Sequence, residues 1–143
     1  LLLEHGAKVD QARNDGKTPL ILAATASGDA GLEVSKLLID KGAAIEHQDH
    51  SGAAALHFAC QCSNIEVAKL LLDRGVPVDS RKRDGSTALQ WACYDSNLQI
   101  AEMLLERGAD QHVRLSGGQD IMNYFIKRAT NKEEMLALLA RYA

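Results

Sequence analysis

Aromatic residues are scarce in this chain: two Phe, three Tyr and one Trp stand among 143 residues that include 21 Ala and 20 Leu. Ala and Leu are the best helix formers, so the mixture points to closely packed helices. Cysteine is also sparse. Three of them, Cys60, Cys62 and Cys93, make an odd count in a chain large enough to bury a core, which argues against a disulfide framework and fits a reducing, intracellular setting. No apolar run approaches the roughly 18 residues of a membrane span. The opening Leu1 to Gly6 lacks the charged and apolar regions of a signal peptide, and the start reads as internal. Strong positive charge is missing too. A net charge of -3 and a pI near 5.9 argue against a dedicated nucleic-acid binder, which needs a basic face to displace counterions from phosphates. The 46% hydrophobic and 24% charged residues exclude a disordered or low-complexity chain. The length suits one domain.

What the sequence does contain is a repeat. Leu2-Leu3-Glu4-His5-Gly6-Ala7 recurs as Leu38-Ile39-Asp40-Lys41-Gly42-Ala43, as Leu71-Leu72-Asp73-Arg74-Gly75-Val76 and as Leu104-Leu105-Glu106-Arg107-Gly108-Ala109, with the glycines stepping by 36, 33 and 33. A second marker advances with it: Asp15-Gly16-Lys17-Thr18-Pro19-Leu20, Ser51-Gly52-Ala53-Ala54-Ala55-Leu56 and Asp84-Gly85-Ser86-Thr87-Ala88-Leu89. The unit is one supersecondary motif long. Asp-Gly predicts a tight hairpin tip, because glycine takes positive φ without a steric penalty. Thr18 and Thr87 stand where a side-chain oxygen caps a helix, with Pro19 in the first helical position. The small residues of Leu22-Ala23-Ala24, Phe58-Ala59-Cys60 and Trp91-Ala92-Cys93 allow neighbouring units to approach closely. A second helix has its apolar stripe at Leu32, Ser35, Leu38 and Ile39, again at Ile65, Ala68, Leu71 and Leu72, and again at Leu98, Ala101, Leu104 and Leu105. Gly42, Gly75 and Gly108 end these helices. Such a pair cannot bury its stripe alone, so the units must stack into a solenoid.

The period of 33, the Gly16-Lys17-Thr18-Pro19-Leu20 segment and the Leu-Leu-x-x-Gly-Ala segments resemble ankyrin repeats. The resemblance covers residues 1 to about 114 and implies an all-α repeat solenoid of stacked helix-turn-helix units with β-hairpin-like loops. The expected division is a single domain over 1–143: the second half of a truncated repeat at 1–12, a repeat with a three-residue insertion at 13–48, repeats at 49–81 and 82–114, and a degenerate C-terminal capping repeat at 115–143. Gly117-Gly118, Asp120, Met135, Leu138 and Leu139 keep the outline of that last unit. Leu1 to Leu3 belong to a second helix without its partner, so a capping segment is expected before them. The insertion, in Ala26 to Gly31, is expected to be absorbed by a loop. Ala54 replaces the capping threonine, a change worth roughly 1 kcal/mol at that helix start. His57 fits the family's helix histidine and is expected to bond the adjacent hairpin backbone.

Candidate chemistry is thin. Cys60, Cys62 and His57 lie on one short helix, but Cys60 and Cys62 are two apart and point to different sides, while Cys93 sits one unit on, about 10 Å away. Four zinc ligands at about 2.3 Å are not available, so no metal is expected. No base other than His57 stands near a cysteine for nucleophilic catalysis. Asp15-Gly16-Lys17-Thr18 lacks the glycine-rich cradle of a phosphate-binding loop. His5, His47, His50 and His112 scatter near turns. The reading is therefore not an enzyme, with no cofactor and no small-molecule substrate.

The resemblance implies that partners bind along the hairpin tips and the exposed face of the first helices. The tips carry Asn14, Asp15 and Lys17, then Gln48, His50 and Ser51, then Arg81, Arg83 and Asp84, then Arg114, growing more basic toward the C-terminus. Arg81-Lys82-Arg83 and Arg114 segregate positive charge in an acidic protein and suggest an acidic or phosphorylated partner. Phe58, Trp91 and Tyr124 share one position in successive units, and Tyr94 lies one helical turn beyond Trp91. Since Trp, Tyr and Arg are favoured anchors, the expected partner-binding residues are His50, Arg81, Arg83, Trp91, Tyr94 and Arg114. Tyr124 and Phe125 are expected to seal the end of the core. Two other readings are a substrate-recognition or regulatory domain of a larger enzyme, and capture of a cationic, methylated lysine by Trp91, Tyr94 and Phe58. Together these features point to a non-catalytic module that binds another protein or peptide, with nucleic acid and membrane insertion not expected.

Overall fold

The computed structural model describes residues 8–26, 28–114, 118 and 129–143. Among them are seven helices: α1 Pro19–Thr25, α2 Asp29–Asp40, α3 Ala55–Gln61, α4 Ile65–Asp73, α5 Ala88–Tyr94, α6 Leu98–Glu106 and α7 Lys132–Arg141. Leu1 to Leu3, Gly117, Asp120, Tyr124 and Phe125, for which the sequence raised expectations, lie outside the described residues. The chain falls into two compact units, Leu1–Val76 and Pro77–Ala143.

In the first unit α1 packs on α2 and α3, α3 on α4, and α2 on α4. Leu20, Ile21, Leu56 and Leu71 are fully buried between them, and the small residues Ala24, Ala59 and Cys60 fill the places where backbones come close. Asn64 ties the helix pairs together. Its Nδ2 donates to the carbonyls of Ala24 at 2.5 Å and Ala26 at 2.8 Å, accepting no capping role of its own. In the second unit α5 packs on α6, and α6 on α7, around Leu89, Ile100, Leu104 and Met135. There Asn131 donates to the carbonyl of Ser96 at 3.0 Å, and Ser96 Oγ accepts the Thr130 N–H at 2.8 Å. Across both units the same short-helix, long-helix pair recurs, an all-α repeat fold.

The insertion is not absorbed by a loop. Three residues separate α1 from α2, as they do α3 from α4 and α5 from α6, whereas α2 has 12 residues against 9 in α4 and in α6. The extra residues add a turn to the start of α2. Gly31 makes room for it: a Cβ there would stand 2.5 Å from the Ala26 carbonyl oxygen and 2.9 Å from that of Ala23.

The tips are closed by paired backbone bonds at equivalent places: Arg13 N–H to Lys17 O and Gly16 N–H to Arg13 O, Asp49 N–H to Ala53 O and Gly52 N–H to Asp49 O, Lys82 N–H to Ser86 O and Gly85 N–H to Lys82 O. Gly16, with φ at 87°, also touches the next tip. A Cβ there would lie 2.7 Å from His50 Cδ2 and 3.0 Å from His50 N, and the His50 N–H donates to the Asp15 carbonyl at 3.1 Å. His47 Nε2 reaches the Gly16 carbonyl at 2.9 Å, so that nitrogen carries the proton.

Helix starts are capped in two different ways. Thr18 Oγ1 accepts the Ile21 N–H at 3.4 Å, as expected. Thr87 Oγ1 does not act this way; it is buried without a partner among the described residues. Instead Gln90 reaches back, its Oε1 accepting the Thr87 N–H at 2.7 Å while its Nε2 donates to the Val113 carbonyl at 3.0 Å. His57 stands at the same helical position and its Nδ1 accepts the Ala54 N–H at 3.0 Å. The N–H of residue 54 is thus satisfied from the third residue of the helix, as that of Thr87 is, although residue 54 supplies no side-chain cap of its own.

Carboxylates organise the tips. Asp49 Oδ1 accepts from the Ser51 hydroxyl at 2.6 Å and from the N–H groups of Ser51 and Ala53. Asp84 Oδ1 accepts from the Ser86 hydroxyl and N–H, two residues later in register. Burial pushes both carboxyls up, but these bonds, with Lys17 near Asp49 and Lys82 near Asp84, outweigh it and hold both below the usual carboxylate range.

Two outcomes follow. His57→Ala leaves a buried N–H unpaired and should cost about 1–3 kcal/mol in urea unfolding, while His57→Gln, which reproduces the Gln90 arrangement, should retain most of the stability. For Asp49 the folded-state pKa lies below the unfolded value of about 3.9. Its stabilisation is complete above that value and is lost as pH falls through the folded pKa. Asp49→Asn, which keeps the acceptor and removes the titration, should flatten the acid limb of the stability–pH curve measured by thermal melts.

Candidate functional site

Five of the six residues expected at a partner surface, Arg81, Arg83, Trp91, Tyr94 and Arg114, belong to the second unit, and His50 belongs to the first. His50 is exposed on its tip, anchored through its backbone to Asp15. In the second unit Trp91 and Tyr94 meet on α5, and Arg81 reaches Arg114, while Arg83 stands on the 82–86 turn.

The aromatic part is rigid. Trp91 and Tyr94 meet edge to face, with ring centroids 5.4 Å apart and planes at 67°. The indole N–H donates to Ser86 Oγ at 3.0 Å, which in turn donates to Asp84, so the turn fixes the ring. Tyr94 is 39% exposed and Trp91 half-buried. Lys82, which the sequence placed in the basic run but not among the anchors, lies with its Nζ 4.8 Å from the Trp91 ring centroid. Nothing in the linear spacing of nine residues signals that contact; it arises because the turn folds residue 82 back over the first turns of α5. The first unit has a counterpart in Lys17, whose Nζ lies 5.1 Å from the Phe58 centroid and 3.8 Å from an Asp15 oxygen. Both aromatic faces thus carry an ammonium group of the chain itself, which is the place a captured methylated lysine would need.

The basic part divides by role. The Arg81 guanidinium donates from Nε to the Gly85 carbonyl at 3.0 Å and from its terminus to the Arg114 carbonyl. It ties one tip to the next segment of the same unit. Arg83 and Arg114 are exposed. Asp84 adds a negative charge within the turn, and Asp95, at the end of α5, has its carboxyl raised by burial.

The thiols fall outside this cluster. Cys60 and Cys93 are buried, which pushes both thiols up to about 12, so neither is present as a thiolate near neutral pH; Cys62 is exposed. Among the described residues no group of three or more His, Cys, Asp or Glu side chains is placed to hold a metal, and no helix is long and apolar enough to cross a membrane.

A family model described as ankyrin repeats (3 copies) matches residues 25–114, well over half of the chain. No curated protein matches the sequence.

The tie made by Arg81 has a measurable signature. Arg81→Ala should accelerate amide hydrogen exchange in the 82–86 turn while changing the global unfolding free energy by about 1 kcal/mol, because the tie is only part-buried at Gly85 and exposed at Arg114. Arg81→Lys should not restore protection, since one ammonium does not reproduce a fork that reaches two carbonyls.

Proposed function

The chain belongs to the ankyrin-repeat family, and on that footing we propose that it is a non-catalytic module binding a partner protein through its hairpin tips and first-helix faces. Ankyrin repeats are generally protein–protein interaction modules. The finer assignment is ours: the partner contacts His50, Arg81, Arg83, Trp91, Tyr94 and Arg114, presents an acidic segment to them, and does so inside the cell. We also take the repeats to divide at 1–12, 13–48, 49–81, 82–114 and 115–143 within one domain.

The observation that carries this reading is the juxtaposition of Trp91, Tyr94 and Lys82, on a unit that also exposes Arg83 and Arg114. Aromatics and arginines are the side chains that dominate interfaces. The Trp91 indole and the Arg81 guanidinium are held by hydrogen bonds made within the chain, so little of their ordering entropy is lost on association. The three free cysteines favour a reducing compartment.

Charge reversal tests it. Arg83→Glu combined with Arg114→Glu leaves the Arg81 tie in place, since that bond uses the Arg114 backbone. The double variant should melt like the parent yet capture its main partner on the order of tenfold less well from cell extract, with a weaker dependence on salt. Undiminished capture would remove the basic tip from the binding surface.

A further inference from the structure

We propose that the Lys82–Trp91–Tyr94 cluster, next in the chain to the exposed Arg83, selects a segment in which one unphosphorylated carboxylate side chain stands next to an apolar side chain. This rests on the protein-binding reading above and narrows the acidic or phosphorylated partner to one chemistry.

The apolar half follows from where the polar atoms go. Trp91 has a single polar atom, its indole N–H, and Ser86 Oγ accepts it at 3.0 Å within the chain. What the half-buried ring offers outward is carbon. The Tyr94 ring stands across its edge at 67° and is 39% exposed, so the two rings form a fixed apolar corner. A corner already immobilised binds an aliphatic or aromatic side chain with little loss of rotamer freedom. A purely ionic partner would leave this surface in water.

The carboxylate half follows from the cations and their geometry. A phosphate group carries about -1.5 to -2 charges and is best held by converging guanidinium forks. Arg81 directs its Nε and a terminal nitrogen to the Gly85 and Arg114 carbonyls, so that fork is turned into the protein. Lys82 is laid over the indole, a point charge rather than a fork. Asp84 stands in the same turn, its carboxylate held ionised by the Ser86 hydrogen bonds, and Asp95 closes α5 after the aromatic pair. Their negative charge opposes a dianion about twice as strongly as a monoanion. One carboxylate matches the ammonium of Lys82 or the exposed Arg83 without this excess.

The experiment uses the whole chain and its single tryptophan, which lies in the cluster and reports on it alone. Three short peptides with identical glycine-serine flanks differ only at their centre: glutamate-leucine, phosphoserine-leucine and glutamate-serine. Each is titrated to about 1 mM, a range in which a segment-sized contact still registers, while Trp91 emission is followed. The glutamate-leucine peptide should perturb the emission saturably and bind several-fold more tightly than either of the others. Tyr94→Ser, at an exposed position, should remove the preference for leucine over serine, and Lys82→Gln should weaken both glutamate peptides without changing the melting temperature. Tighter binding of the phosphoserine peptide overturns the carboxylate assignment and leaves the protein-binding reading standing. Equal binding of the two glutamate peptides overturns the apolar corner. If no peptide changes the emission, the inference falls; the assignment of the basic tip to the binding surface falls separately, only if the Arg83→Glu, Arg114→Glu variant still captures its partner undiminished.

Discussion

Helices of seven residues are too short to look after their own backbone. The first four N–H groups and last four carbonyls of any helix lack an intrahelical partner, and in α1, α3 and α5 that leaves almost no residue fully satisfied from within. The rest of the structure answers this deficit. Gln90 serves the start of its own helix and the chain segment around Val113; His57 serves the start of α3; Asn64 collects the carbonyls at the end of α1; Arg81 collects those of Gly85 and Arg114. Side chains that complete one motif reach into its neighbour, so folding of a unit and stacking of its parts are one process.

That dependence explains how the Trp91–Tyr94 surface stays firm. Trp91 is steadied by Ser86, Ser86 by Asp84, and the turn that carries both by its own closing bonds. The groups that hold the aromatic corner are the same groups that close the tip. The side chains at the outer edge therefore stand on a framework whose inner edge is fixed by backbone necessity, and the outer positions can vary in chemistry without altering the support beneath.

The repeat, the helix pairs, the tips and the terminal glycines were all legible in the linear sequence, because each depends on residues within one period. The roles of individual polar side chains were less so. Thr87 matches a capping threonine in sequence, yet its hydroxyl finds no partner among the described residues while the Gln90 side chain accepts the Thr87 N–H; the two bonds serve different N–H groups, and only geometry shows which of them forms. Arg81 looks like one cation among four, but its bonds to the Gly85 and Arg114 carbonyls join residues 33 apart. Lys82 looks like a solvated neighbour, yet it lies over an indole nine positions away. His57, by contrast, was assigned a backbone-bonding role from its place in the repeat, and it accepts the Ala54 N–H.

The lengthened α2 sets the outline of the first unit's leading pair apart from the described pairs α3–α4 and α5–α6. At a rise of about 1.5 Å per residue, three added residues carry its leading end some 4.5 Å further along the axis than an unextended counterpart would reach. The overhang lines a trough together with Leu32 and with Ser63, Asn64 and Glu66 around the start of α4. Neither α4 nor α6 carries such an extension, so among the described pairs this notched border belongs to the first alone.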